Sequence, residues 1–137
     1  MWVVDTCVII DVLDRISGFA EVSAAALDAK YDDGLTIAPV TFVELAPAFN
    51  ADLEEQIRFL TTLGIDIAFD ENRETVFHAY KGWYSHILRK RASMERKRPV
   101  ADVLIGAYAL SKGGLITRNE ADFRALFPEL VICNPAR

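Results

Sequence analysis

Short apolar runs, each closed by an acid or a turn signal and each followed by a stretch with helical spacing, recur along this chain and leave few folds open to it. The first is Trp2 to Val4, which ends in Asp5-Thr6. A Val-rich run without polar alternation suits a strand buried on both faces, as in a parallel sheet. Leu35 to Ala38, Ile65 to Phe69, Leu115 to Thr117 and Leu130 to Cys133 are the other candidate strands.

The intervening segments read as helices. Thr6 is placed to cap a short helix through Leu13, and Phe19 to Tyr31 is amphipathic. Another helix opens near Thr41 and runs to about Phe49, and Asp52 to Leu63 puts Leu53, Ile57, Leu60 and Leu63 on one face. A long helix capped by Asp70 or Asn72 ends before Pro99, and Val100 to Ser111 is closed by Gly113-Gly114. A short helix follows Asn119. Strands alternating with helices predict an α/β fold, a three-layer α/β/α sandwich on a central, mainly parallel sheet of four to five strands. At 137 residues and 52% hydrophobic, one domain over 1–137 is expected.

No run of 18 or more apolar residues occurs and no basic segment precedes the first apolar run, so no membrane span or secretory leader is predicted and a cytoplasmic protein is expected. Cys7 and Cys133 lie in apolar runs without metal-type spacing and read as reduced, buried small hydrophobes. The net charge of −5 argues against a protein that merely coats nucleic acid. Yet Arg89, Lys90, Arg91, Arg96, Lys97 and Arg98, six of the 15 basic residues, fall within ten positions. Such a run is either a solvated helix end or a phosphate-binding patch.

In a parallel α/β sheet, ligands bind beyond the carboxyl ends of the strands. The acids gather there in the sequence. Asp5 ends the first strand, Glu44 is expected in the first turn after the second, Asp102 opens a helix, and Asn119 to Asp122 follow the fourth strand. Each also has an ordinary explanation: Thr41 and Glu44 fit a capping box, Asp5 a helix cap, Asp102 dipole compensation and Asp122 a surface position. Gathered together, carboxylates repel unless a cation compensates them, and hard Mg2+ with oxygen ligands and retained waters is the usual partner. Phosphodiester hydrolysis is the chemistry that such a site fits.

Four blocks carry a family resemblance: Val3-Val4-Asp5-Thr6-Cys7-Val8-Ile9-Ile10, Thr41-Phe42-Val43-Glu44-Leu45, Ala101-Asp102-Val103-Leu104-Ile105-Gly106-Ala107 and Leu115-Ile116-Thr117-Arg118-Asn119-Glu120-Ala121-Asp122-Phe123. In this order they resemble the PIN-domain family, and in particular the VapC-type toxins of prokaryotic toxin–antitoxin pairs. The resemblance implies an endoribonuclease dependent on Mg2+ or Mn2+, with Asp5, Glu44, Asp102 and Asp122 as catalytic acids and Asp5, Asp102 and Asp122 on the metal. Asn119 is an alternative for the fourth acid, while Thr6 and Thr117 would orient carboxylates or water. The basic run would hold RNA phosphates, and a cognate antitoxin and a homodimer are implied as partners.

Two other readings keep the layers and change the function. A non-catalytic RNA- or protein-binding module would explain an Asn at position 119, and a receiver-like phosphoacceptor domain has comparable length. The aromatic residues Trp83 and Tyr84 are expected in core or interface, and His78 and His86 in packing or surface roles rather than on a metal.

Overall fold

The computed structural model describes residues 1–16, 18–70, 72–93 and 100–137, with the side chains of 90–93 outside that description. Its strands are β1 (Trp2–Val4), β2 (Leu35–Thr36), β3 (Ile65–Asp66), β4 (Leu115–Ile116) and β5 (Ile132–Cys133). Its helices are α1 (Thr6–Leu13), α2 (Ala20–Lys30), α3 (Pro39–Glu44), α4 (Leu53–Thr62), α5 (Arg73–Ser93), α6 (Val100–Leu110) and α7 (Glu120–Leu126). Every strand pair is parallel, in the order β3-β2-β1-β4-β5. The expected α/β architecture is therefore present, with strands shorter than the apolar runs that announce them. Receiver-type doubly wound sheets run 2-1-3-4-5, so the strand order here departs from that alternative.

Successive strand side chains point to opposite faces, and the core divides accordingly. Val3 and Leu115 belong to a cluster with Val103, Ala107, Tyr108, Phe123 and Phe127 from the α5–α6–α7 side. Val4 and Ile116 belong to the other, with Val8, Ile9, Leu27, Leu45 and Leu60 from α1, α2, the C-terminal cap of α3 and α4. Burial on both faces is why β1 reads as an unbroken apolar run.

Three local devices fix the ends. Pro39 starts α3 two residues ahead of Thr41, because a fixed φ and a missing N–H suit the first helical position; Ala38 is the N-cap. The predicted Thr41–Glu44 capping box is thereby overturned, and Glu44 is the last residue of α3 rather than part of a first turn. Asp5, with φ −70° and ψ 150°, is the N-cap residue of α1 and Thr6 its first helical residue, so Thr6 does not take the capping place assigned to it. Asn72, not Asp70, caps α5 through its Oδ1 to the Thr75 amide at 3.0 Å. Asp70 accepts from the Tyr108 hydroxyl and from Lys112 Nζ at 2.7 Å instead, which ties the chain before α5 to the end of α6.

The direction of α6 matters for the site. The Gly113 amide donates to the Met1 carbonyl, which puts the exit of α6 beside the start of β1. Eleven helical residues rise about 16 Å, so the first turn of α6, with Asp102, lies toward the carboxyl edge of the sheet.

The Phe127 ring packs against backbone on two helices. A Cβ at Gly82 would stand 2.7 Å from it and one at Gly106 2.6 Å. Gly106→Ala is expected to lower stability by about 1–3 kcal/mol through overpacking, although Ala is the better helix former. A urea-denaturation midpoint equal to or above that of the wild type would show that the ring has room to move.

Candidate active site

The strand order makes β1 and β4 the topological switch point: from β1 the chain builds outward through β2 and β3, then returns to β4 on the other side. Asp5 and Thr117 leave these two strands side by side. The Asp5 amide donates to the Ile116 carbonyl at 3.0 Å, and the Thr117 hydroxyl donates to Asp5 Oδ2 at 2.7 Å. That hydroxyl also accepts from the Asn119 amide at 2.9 Å, so its single hydrogen is left for the carboxylate. Thr117 is fully buried and Asp5 is 5% exposed.

Burial is the largest influence on Asp5 and pushes its pKa above the ordinary carboxylate range. Hydrogen bonds from Thr117, Cys7 and the Thr6 amide, and the positive charge of Arg118, oppose that shift without cancelling it. The Cys7 thiol donates to the same Oδ2 at 3.3 Å. Cys7 is free and packs against the second core cluster, but it is only partly buried and makes a polar contact, which corrects its reading as a buried small hydrophobe. Desolvation and the Asp5 charge push it up to about 12, so in the metal-free protein it stays a thiol. Cys133 is also partly buried, and it packs against the second core cluster.

Glu44 joins through Thr6. The Thr6 hydroxyl donates to Glu44 Oε1 at 2.8 Å and lies 3.1 Å from the buried Thr41 hydroxyl. One hydrogen cannot serve both contacts, so Thr41 supplies the second. Glu44 is exposed, and this contact holds it beside the residue that follows Asp5. Asp102 is half-buried in the first turn of α6, which packs on β1 and α3.

The fourth position is split. Asn119, the N-cap residue of α7, reaches Asp5 through its amide and Thr117; Asp122 is exposed in the first turn of the same helix. Glu120, next in the chain, accepts from Asn134 and Arg124 and lies 3.5 Å from Arg137, contacts that hold its carboxyl below the usual range and commit it to the C-terminal segment.

Of the basic run, Arg89 donates to the Ala125 carbonyl at the end of α7. Arg96, Lys97 and Arg98 lie outside the described residues, as do the side chains of Lys90 and Arg91. His78 is 3.6 Å from Glu74, and His86 is buried with its ring 5.7 Å from that of Trp83. Trp83 is half-buried and packs on the core, whereas Tyr84 is 62% exposed.

Two charged residues at this edge had no place in the sequence reading. Asp11 is 3% exposed in α1, where Arg118 Nε and Nη2 meet its oxygens at 2.6 and 2.9 Å. The signal was present: one acid inside the otherwise apolar Cys7-Val8-Ile9-Ile10-Asp11-Val12-Leu13, where a buried charge must find a partner.

Among the described residues, no three His, Cys, Asp or Glu side chains stand close enough to hold an ion between them. The donors at this edge are nevertheless hard carboxylate oxygens, and Mg2+ or Mn2+ commonly binds through one or two carboxylates while keeping waters for the rest of its shell. By donor chemistry the carboxylates of Asp5, Glu44 and Asp102 would suit such an ion, with waters completing its shell.

A raised folded-state pKa means that ionised Asp5 destabilises the metal-free fold. That penalty is absent below the unfolded-state value near about 4 and grows as pH rises through the folded-state value. Asp5→Asn keeps an oxygen for Thr117 and removes the charge. The variant is expected to match the wild type at acid pH and to melt higher at neutral pH, by about 3 °C per kcal/mol relieved. A lower melting temperature for the metal-free variant at pH 7 would contradict this assignment.

No curated protein gives a significant match to the chain. The PIN domain family matches residues 2–126, from β1 to the end of α7. PIN domains are generally nucleases, and by this match, which spans all four carboxylate-bearing segments, the chain belongs to the PIN domain family.

Proposed function

We propose that this chain is a metal-dependent endoribonuclease and the toxin of a type II toxin–antitoxin pair, in the manner of VapC-type proteins. The observation that carries the nuclease reading is the buried Asp5 carboxylate at the β1–β4 switch point, held at one oxygen by Thr117 and Cys7 and flanked by Glu44 through Thr6. Fixing Oδ2 fixes the direction of the other oxygen, a requirement for an octahedral ion that tolerates little misplacement. When bound, Mg2+ or Mn2+ supplies charge compensation at the phosphoryl oxygens and a water of lowered pKa.

The residues of the chain do the rest. Asp5 and Asp102 bind the ion, Thr117 keeps Asp5 aimed, and Thr6 keeps Glu44 at the edge, where its exposed carboxylate can orient the attacking water or take its proton. Asp122 or Asn119 completes the set. The run from Arg89 to Arg98 directly precedes α6 in the sequence and supplies cations for RNA phosphates on a body of net charge −5. No described helix is long and apolar enough to cross a membrane, and a cytoplasmic site of action suits an RNA substrate.

Exposed apolar groups on α5 support the homodimer. Tyr80 is 75% exposed, and Val76, Phe77 and Leu88 are each about half exposed. A cognate antitoxin would silence the enzyme by covering the edge or by placing a basic side chain among the carboxylates, where a fixed cation competes with the metal.

Asp5→Asn and Asp102→Asn are each expected to reduce RNA cleavage by at least about 100-fold, since loss of a ligand should exceed the 10–100-fold typical of outer-shell partners. EDTA should abolish cleavage and Mn2+ restore it. Undiminished cleavage by Asp5→Asn, or by wild type in EDTA, would overturn the mechanism. Tyr80→Glu is expected to shift the protein toward monomer in sedimentation velocity with Mn2+ affinity unchanged; an unaltered dimer would place the interface elsewhere.

A further inference from the structure

Asp11 and Arg118 belong to none of the roles assigned so far, yet they anchor the segment that carries the Thr117 hydroxyl. Asp11, on α1, is buried at 3% exposure, and its partner Arg118 is partly exposed. Three groups satisfy the Asp11 carboxylate: Arg118 Nε on Oδ2 at 2.6 Å, Arg118 Nη2 on Oδ1 at 2.9 Å, and the hydroxyl of the fully buried Ser23 of α2 on Oδ2 at 2.7 Å. The other side of the guanidinium lies over the Phe19 ring, 3.9 Å from its centroid. A planar fork gripped at two edges and stacked on one face has one orientation, which a lysine at this position would lack.

The backbone of Arg118 is as constrained as its side chain. It lies between Thr117, whose hydroxyl donates to Asp5, and Asn119, whose amide donates to that hydroxyl. Its own amide faces the Cys7 sulfur, and the Thr117 amide donates to the Cys133 carbonyl at 3.1 Å. The 117–119 turn is thus sewn to β5 and to the start of α1, while the Arg118 side chain pins it to α1 one to two turns further along and to α2. Stability alone gives little reason for it, because a buried carboxylate costs desolvation that a partly exposed guanidinium only offsets, and apolar side chains of similar volume commonly do as well. An ion pair with a bidentate fork supplies orientation, which apolar packing does not.

We propose that the Asp11–Arg118 pair is a positioning device for the metal-binding carboxylate: Asp11 clamps Arg118, the clamped residue holds the Thr117–Asn119 turn, and the Thr117 hydroxyl thereby sets the direction of Asp5. The proposal rests on Asp5 being a metal ligand, as argued above. Arg118 is then not an RNA-binding cation, despite being the arginine nearest the site in sequence; two of its N–H groups are given to Asp11 and its side chain is 27% exposed.

The test compares four variants by Mn2+ calorimetry, by kcat and KM on a defined RNA, and by urea denaturation. Arg118→Lys keeps the charge and loses the fork. It is expected to weaken Mn2+ binding and lower kcat by about 10–100-fold, the range for outer-shell partners, with KM for RNA within about threefold. Asp11→Asn should do the same. Because breaking a buried pair on one side can unfold a protein, the deciding variant replaces both partners, Asp11→Leu with Arg118→Met. It is expected to keep or exceed wild-type stability and still show weakened Mn2+ binding and reduced kcat. Recovery of both stability and Mn2+ affinity in the double variant would make the pair merely structural. A raised KM with unchanged Mn2+ affinity in Arg118→Lys would make Arg118 an RNA contact; either result overturns the proposal. Asp5→Asn, run beside them, separates the two levels: cleavage retained there removes the nuclease site itself, whereas cleavage lost there and intact in the double variant removes only the positioning role.

Discussion

The hydrogen bond from the Thr117 hydroxyl to Asp5 spans the two central strands of the sheet, and the geometry of the carboxylate edge depends on it. It exists because β1 and β4 are adjacent and parallel, with Val3 opposite Leu115 and Val4 opposite Ile116. Parallel pairing brings both strand ends to one edge, and the outward winding to β2 and β3 followed by the return to β4 leaves a crevice between them. The apolar side chains of β1, divided between two cores, pull Asp5 to a depth that a carboxylate does not choose for itself. Thr117, Cys7 and the Thr6 amide return part of the lost hydration.

That depth shapes the chemistry. A carboxylate in contact with water has little need of a divalent ion, whereas a desolvated one gains from any cation that reaches it. Cys7 donates to Asp5 and is held as a thiol in the metal-free protein, and Glu44 offers oxygen from an exposed helix end. The metal-free fold carries the penalty of a desolvated Asp5, which a divalent ion bound as proposed would remove.

Much of this was legible in the chain itself. Burial of β1 follows from an apolar run without alternation, and the layered architecture from the succession of strands and helices. The place of Asp5 follows from a charge directly after that run. Other features were hidden for identifiable reasons. Pro39 moved the start of α3 ahead of the Thr41 signal, so Glu44 could not be recognised as a helix-end residue fastened to Thr6. The Cys7 contact depends on side-chain direction within one turn of helix, which hydropathy does not encode. Asp11 was visible as a charge in an apolar helix, but its partner lies 107 residues away in sequence, and only the β1–β4 adjacency brings the two together. The strand order, and with it the departure from a receiver-type sheet, is a long-range property that no local pattern carries.

The central claim is that a divalent ion binds at this edge of the sheet. Paramagnetic broadening by Mn2+ reads that position directly, because amide signals near the ion disappear at substoichiometric metal. The account predicts early loss at Asp5, Thr6, Glu44, Asp102 and Thr117 to Asn119, with the signals of Glu54 and Glu55, exposed acids at the start of α4, preserved. Preserved signals at Asp5 and Thr117, or equal loss at Glu54 and Glu55, would contradict it.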